Sequence, residues 1–148
     1  MSTLKTPKLD LSPSERKALR SHNIRLNELH TRSVEEIRTI LNITETRAAE
    51  LRASSEFQRL PSIGPRFAED LIRLGFCSLD DLSGQNGAEL FDRLEALAGQ
   101  RIDPCVEDQL RLVVFSAEHR TSGKQWWDFT EERKLYRSLH GYPADRPE

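Results

Sequence analysis

Residues 60–71, with the sequence LPSIGPRFAEDL, combine residue types that could bind a phosphate group. Pro61 and Gly64 are typical of a tight turn, and Gly64 can adopt the positive φ that other residues resist. Pro65 favours the first position of a following helix, where its missing N–H costs nothing. The amides at that helix start, together with the guanidinium of Arg66, predict a contact to phosphate oxygens.

Neighbouring charges could extend this contact or weaken it. Arg59 and Arg73 could reach adjacent phosphates, although either could equally be a solvated helix residue. Glu69 and Asp70 lie one helical turn after Arg66 and could pair with it instead. The predicted nucleic-acid site therefore consists of Ser62, Gly64, Pro65, Arg66, Arg59 and Arg73. The alternative is that the turn serves only in packing or in docking a protein.

The elements that position these residues are expected to be helices. Apolar residues recur three and four apart along the chain, and alternating β-branched runs are missing, so the fold class is all-α. Ser12, Pro13 and Glu15 have the spacing of a capping box. We expect helices over residues 13–22, 34–41, 45–59, 65–74, 86–98, 104–119 and 131–140, short turns over 26–29 and 78–82, the second capped by Ser78, and a loop over 121–124.

The sequence also contains an internal repeat. A shift of 52 residues aligns Leu11-Ser12-Pro13 with Ile63-Gly64-Pro65, Leu19 with Leu71, and Asn23-Ile24 with Gly75-Phe76. Each copy has an apolar helix face that it cannot bury alone, so two copies should pack around a shared core. We predict a degenerate unit over residues 1–58, a second unit over 59–120, and a C-terminal aromatic arm and tail over 121–148.

Composition limits the possible partners. The chain has 148 residues, a net charge of −2 and a pI of about 6.1, so its overall field does not attract a polyanion. The charge is nevertheless uneven, because residues 1–38 carry eight Lys and Arg against five Asp and Glu, whereas residues 75–110 carry two against eight. Any nucleic-acid contact must therefore be local.

The first copy resembles the C-terminal domain of the bacterial RNA polymerase α subunit over residues 9–51. The resemblance rests on Leu9-Asp10-Leu11-Ser12-Pro13, Asn23-Ile24-Arg25 and Asn42-Ile43. It implies a compact helical domain of a kind that touches the DNA minor groove and docks on regulators. Ser14 stands where that family has its main DNA arginine, and Thr44 stands at its hairpin glycine. The first copy should therefore have lost the DNA contacts, whereas Arg66 occupies the position of Ser14 in the second copy.

The second copy resembles the helix-hairpin-helix proteins of the pathogenicity-locus family over residues 60–128. The matching residues are Ile63-Gly64-Pro65, Leu74-Gly75-Phe76, Ser78-Leu79-Asp80-Asp81-Leu82, Gly99-Gln100-Arg101-Ile102-Asp103-Pro104-Cys105-Val106 and Trp126-Trp127. The resemblance implies nucleic-acid binding through the hairpin. Ser62 departs from the pattern, because a glycine is common at that position.

Two further features have competing interpretations. Trp126, Trp127 and Phe129 could stack on unpaired bases, but we expect adjacent aromatic residues on a C-terminal arm to cover the core. Cys105 lies just inside a helix start, where a thiol pKa is lowered. Its apolar helix neighbours instead predict a buried, unreactive side chain.

The sequence favours a small, non-enzymatic, cytoplasmic DNA-binding protein. It contains no catalytic constellation, phosphate loop or metal-ligand spacing, so we expect no enzymatic activity, no cofactor and no metal. The sequence contains no long apolar run, so we expect no membrane-spanning segment. The expected partner is the DNA phosphate backbone, bound with low sequence specificity. The alternative is an adaptor that docks on polymerase or repair machinery through an acidic surface at residues 75–110.

Overall fold

The computed structural model describes residues 5–120 and 123–148, and the regular secondary structure in those residues is entirely helical. The all-α prediction is therefore confirmed for this part of the chain. The chain divides into two compact units, Met1–Ser78 and Leu79–Glu148. Thr121 and Ser122, which open the predicted loop at 121–124, lie outside the described residues.

The first unit is built around one central helix. Its elements are α1 (Pro13–Ser21), a 3-10 helix (Leu26–Thr31), α2 (Val34–Leu41), α3 (Glu45–Phe57) and α4 (Pro65–Arg73). Helix α3 packs against α2, the 3-10 helix and α4. One apolar cluster of the core in this unit consists of Leu9, Leu11, Leu19, Ile24, Leu29, Ile37, Leu41, Ala48 and Leu51.

Side-chain caps determine where α1 begins. The Ser12 hydroxyl accepts a hydrogen bond from the Glu15 amide at 3.1 Å, and the Glu15 carboxylate accepts one from the Ser12 amide at 2.8 Å. This reciprocal pair satisfies two backbone donors that the helix start would otherwise leave open. The predicted capping box is confirmed.

Helices α1 and α4 end in the same way. Each has nine residues with proline at its first position, and the second residue after each helix has a positive φ, 58° at Asn23 and 100° at Gly75. The closing hydrogen bonds also match at a spacing of 52 residues: Asn23 to Arg20, Ile24 to Leu19, Gly75 to Ile72 and Phe76 to Leu71. The predicted sequence shift thus relates two backbone segments of equal length and equal termination.

The second unit is organised around α6. Its elements are a 3-10 helix (Asp80–Leu82), α5 (Gly87–Ala98), α6 (Pro104–Glu118), a second 3-10 helix (Trp126–Phe129) and α7 (Thr130–His140). Helix α6 packs against α5, α7 and both 3-10 helices. Asn86 caps α5, Gly99 ends it and Asp103 caps α6.

The start of the first 3-10 helix differs from the prediction. Ser78 does not precede its first residue, because the helix begins at Asp80 and follows Leu79. Its two closing hydrogen bonds run from Leu82 to Leu79 at 3.1 Å and from Ser83 to Asp80 at 3.1 Å. The tighter 3-10 spacing therefore starts one residue later than a turn capped by Ser78 would.

Ion pairs hold α7, which has no fully buried residue of its own. Two adjacent carboxylates on α6, Glu107 and Asp108, are completely buried. Arg137 Nε donates to Glu107 at 2.9 Å, and Arg133 Nε donates to Asp108 at 2.9 Å. The Arg137 guanidinium also lies 4.1 Å from the centre of the Tyr142 ring. Helix α7 is thus attached through paired charges as well as apolar contact.

Two expectations about the second unit need correction. Phe129 is buried against Phe115, which confirms that it covers the core, but Trp126 is half-buried and Trp127 is 56% exposed. Cys105 is exposed, so the predicted burial is wrong. Partial desolvation of the thiol and the neighbouring Asp103 carboxylate raise the pKa of Cys105, which opposes the lowering expected at a helix start.

Candidate nucleic-acid interface

The α3–α4 turn, residues 58–64, carries the predicted phosphate-binding residues. Its left-handed residue is Ser62, with φ of 67°, whereas Gly64 is extended, with φ of −96° and ψ of −174°. The prediction that Gly64 adopts a positive φ is therefore wrong. Because Ser62 occupies the position where a glycine is common in the resembling family, the turn keeps its conformation without the residue that favours it.

Apolar side chains anchor the turn and the helix after it. Ile63 and Leu71 are completely buried, and Phe67 is nearly so. Within the turn, the Ile63 amide donates to the carbonyl of Leu60 at 3.3 Å. This anchoring leaves Ser62, Pro65 and Arg66 on the exposed side, next to half-buried Gly64.

The N-terminal segment contributes contacts that sequence reasoning missed. Lys5 Nζ donates to the carbonyls of Ile63 at 2.7 Å and Leu60 at 3.2 Å. Gln58, almost fully buried, donates to the Lys8 carbonyl and accepts from the Lys8 amide. Burial and the charge of Lys8 lower the pKa of Lys5. The two lysines, at positions 5 and 8, are the sequence feature that could have indicated these contacts. No local sequence pattern indicated that the N-terminal segment packs on the turn.

The start of α4 is open. Gly64 has no side chain, so the N-cap position provides no side-chain acceptor for the amides of Arg66 and Phe67 in the first turn. Arg66 is exposed and forms no salt bridge with the other described residues. A Cβ placed on Gly64 would meet no atom within 4 Å, so no other group crowds Gly64 in that direction. The arrangement can accept an anion through backbone donors and one guanidinium.

The remaining predicted residues lie at different distances from this helix start. Arg59 is exposed at the beginning of the turn. Arg73 lies in the last turn of α4, about 10 Å along the helix from Arg66. It pairs with Asp70 at 3.8 Å, so Asp70 faces Arg73 rather than forming a salt bridge with Arg66. Burial raises the pKa of Asp70, although Arg73 and Arg66 oppose that effect.

Replacing Ser62 with glycine is expected to raise the free energy of unfolding by about 0.5–1 kcal/mol, because the left-handed conformation costs an L-residue roughly 1–2 kcal/mol and glycine recovers only part of that on folding. Urea unfolding followed by circular dichroism measures the change. Thr39→Gly, at an exposed position of α2, is the control and should lower stability. Equal losses in both variants would contradict the role assigned to the backbone at Ser62.

The described residues provide neither a membrane-spanning helix nor a cluster of metal ligands. None of their helices combines the length and apolar character needed to cross a membrane. Their His, Cys, Asp and Glu side chains do not form a group of three or more that could hold a metal ion.

The fold and the turn define a small, all-helical protein with an open helix start beside an arginine. Residues 50–135 match the model of the Cdd1 family, described as pathogenicity locus, so the chain belongs to that family. The mitomycin resistance protein McrB of Streptomyces lavendulae is 35% identical over 92 residues, which cover 62% of this chain and 85% of that protein. No solved structure matches the chain significantly.

Proposed function

We propose that this chain is a non-enzymatic protein that binds the phosphate backbone of nucleic acid through the α3–α4 turn. The observation that carries the proposal is the open start of α4, with its uncapped amides beside the exposed guanidinium of Arg66. In this interpretation the turn and α4 open the second of two helix-hairpin-helix units. Gly64 and the amides after it hold a phosphate oxygen, while Arg66 neutralises the charge.

The distribution of charge supports this proposal. The first unit carries thirteen Lys and Arg against ten Asp and Glu, a net charge of +3, whereas the second carries nine against fourteen, a net charge of −5. The α3–α4 turn belongs to the positive unit, and Lys5 binds directly to its carbonyls. A polyanion would therefore meet a favourable local field in spite of the negative net charge of the chain.

The internal repeat supports the proposal by contrast. We propose that α1 to α3 and α4 to α6 are two helix-hairpin-helix copies, each with a 3-10 helix between its first two helices. At the start of α1, Ser12 and Glu15 satisfy the backbone donors. At the equivalent start of α4, Gly64 leaves them open. Only the second copy keeps a helix start that can accept a phosphate.

Such a contact is small. One turn neutralises one or two phosphates, so binding is weak alone, depends on salt and does not read base sequence. Additional contacts on the same protein or on a partner are needed for useful affinity. The name of the S. lavendulae relative connects that protein with resistance to mitomycin, and we propose the same biological setting for this chain.

The Arg66→Glu variant tests the proposal. Its affinity for a fluorescein-labelled duplex is expected to fall about tenfold at low salt, because the substitution removes one phosphate contact and adds a repulsive charge. The slope of log affinity against log salt should become shallower by about one. Fluorescence anisotropy at about 50 mM and 200 mM salt measures both quantities.

Arg38→Glu is the matched control, since it makes the same charge change on α2, where Arg38 pairs with Glu35. It should reduce affinity much less than Arg66→Glu. Absence of binding at low salt, or equal effects of the two substitutions, would overturn the proposal.

A second candidate function is that of a protein adaptor with a purely structural turn. Leu135 and Leu139, one helical turn apart on α7, are 62% and 71% exposed, and Trp127 is exposed in the same unit. Exposed apolar side chains of this size favour a protein contact when they lie together. The adaptor becomes the preferred function if the wild-type protein fails to bind nucleic acid at low salt.

A further inference from the structure

We propose that a basic groove between α1 and the 3-10 helix Leu26–Thr31 binds an unpaired stretch of nucleic acid. The proposal rests on the proposed nucleic-acid binding but concerns different residues. The groove has a volume of about 520 Å³ and lies within the first unit. Arg16, Arg20 and Arg25 line it, and none of the described residues that line it is acidic.

Local structure places the arginines around the groove. Arg16 and Arg20 lie four residues apart on one face of α1. The left-handed residue Asn23 then reverses the chain, so that Arg25 stands at the start of the 3-10 helix. Arg16 is held by a hydrogen bond from Nη2 to the Leu9 carbonyl at 3.3 Å. No salt bridge within the described chain engages Arg20 or Arg25.

The floor of the groove is apolar. Leu19 and Ile24 are buried beneath it, and half-buried Leu26 completes the lining. Guanidinium groups around an aliphatic floor match a nucleotide, whose phosphates carry charge and whose base offers an apolar face. In a duplex the base faces are stacked against each other, so an unpaired strand fits this lining better.

The groove and the α3–α4 turn are joined by consecutive residues. Thr6 lines the groove, and the preceding Lys5 binds the Leu60 and Ile63 carbonyls of the turn. One strand could therefore reach both sites on the same unit. The arginines belong only to the first copy, because the shift of 52 residues places Ala68, Ile72 and Cys77 at the positions of Arg16, Arg20 and Arg25. The first copy thus supplies the groove, and the second supplies the open helix start.

The Arg20→Ala/Arg25→Ala double variant tests this inference. Fluorescence anisotropy is measured with labelled dT12, labelled rU12 and a labelled 12-base-pair duplex. Comparison of these probes distinguishes single-stranded from duplex binding and DNA from RNA. We expect the double variant to lose about tenfold in affinity for at least one of the single strands, with its log salt slope shallower by about 1.4. Affinity for the duplex should change less.

Arg32→Ala/Arg38→Ala is the matched control, because it removes two charges from arginines of the same unit that do not line the groove and that pair with Glu36 and Glu35. If the Arg20→Ala/Arg25→Ala variant and this control had equal single-strand affinities, the proposal that the groove binds nucleic acid would be overturned. Absence of dT12 and rU12 binding to the wild-type protein would do the same. The effect of Arg66→Glu on duplex affinity tests phosphate binding by the α3–α4 turn independently of either result.

Methyl NMR provides a second measurement that needs no substitution. Addition of the single strand that binds should shift the methyl resonances of Ile24 and Leu26 at the groove. Resonances of Ile37 and Leu41, which are buried in α2 and do not line the groove, provide the comparison. Shifts that are no larger at the groove than in α2 would contradict the inference.

Discussion

The Arg133→Ala variant is expected to lose about 3–5 kcal/mol of the free energy of unfolding of the second unit. Asp108 is completely buried, and its partners are Arg133, at 2.9 and 3.4 Å, and the Thr130 hydroxyl, at 2.9 Å. Without Arg133, the Thr130 hydroxyl is the one hydrogen-bond partner left to Asp108 among the described residues, and it must compensate a buried negative charge alone. Urea unfolding followed by tryptophan fluorescence measures the loss, since both tryptophans, Trp126 and Trp127, belong to this unit.

Lys134→Ala is the control for this prediction, because Lys134 is the next residue of α7 and pairs at 3.7 Å with exposed Glu131. Its substitution should change stability by less than about 0.5 kcal/mol. The Asp108→Ala/Arg133→Ala double variant should lose less than the sum of its two single variants, because neither charge is then left unpaired. Similar losses for Lys134→Ala and Arg133→Ala would show that the buried pair has no special role.

Local signals in the sequence were sufficient to predict most helix boundaries. The capping box at Ser12, the caps at Asn86 and Asp103, and the glycine stop at Gly99 each depend on residues within one helical turn. Caps form because a side chain satisfies a backbone donor, and glycine ends a helix because of its conformational freedom. Both effects involve only residues close together in the sequence. These elements were therefore predictable without knowledge of the tertiary fold.

Pairing between distant residues was not predictable in this way. The α6 helix was expected, but its apolar pattern gave no indication that Glu107 and Asp108 would be fully buried. Their partners, Arg137 and Arg133, lie 30 and 25 residues away. The signal that could have found them is two arginines at a spacing of four, which face the same side of α7.

At the candidate site, the start of α4 was predicted correctly but the backbone conformation of the turn was not. Proline at the first position of α4 correctly indicated the helix start beside Arg66. The left-handed conformation was assigned to Gly64 instead of Ser62, because propensity favours glycine and the buried Ile63 fixes the turn differently. The contact from Lys5 joins the turn to a segment more than fifty residues earlier in the sequence, and no local sequence pattern indicates such a contact.

The stability of the first unit should decrease in acid through one carboxylate. Arg47 donates to Glu15 from Nε at 2.9 Å and from Nη2 at 2.7 Å, which links α1 to α3. These hydrogen bonds, together with the one from the Ser12 amide, outweigh burial and lower the pKa of Glu15 from 4.5 to about 2. The ionised form is thus favoured in the folded protein more than in the unfolded chain.

This lowered pKa sets the direction of the pH dependence. The contribution of Glu15 is fully present above about pH 4.5 and disappears as the pH falls through about 2. A shift of this size corresponds to about 2–3 kcal/mol after allowance for Arg47, whose side chain is 41% exposed and partly screened. Urea unfolding of the wild type and of Glu15→Gln, followed by far-ultraviolet circular dichroism from about pH 7 to pH 2, measures the contribution.

The difference in stability between these two proteins should narrow as the pH falls, because the glutamine side chain of the variant has no carboxyl group to protonate. Glu45→Gln is the control, since Glu45 is exposed in the first turn of α3. Its difference from the wild type should stay small across the range. A difference for Glu15→Gln that is independent of pH would mean that the Arg47 pair holds α1 and α3 together by packing and neutral hydrogen bonding, and that the carboxylate charge contributes nothing measurable.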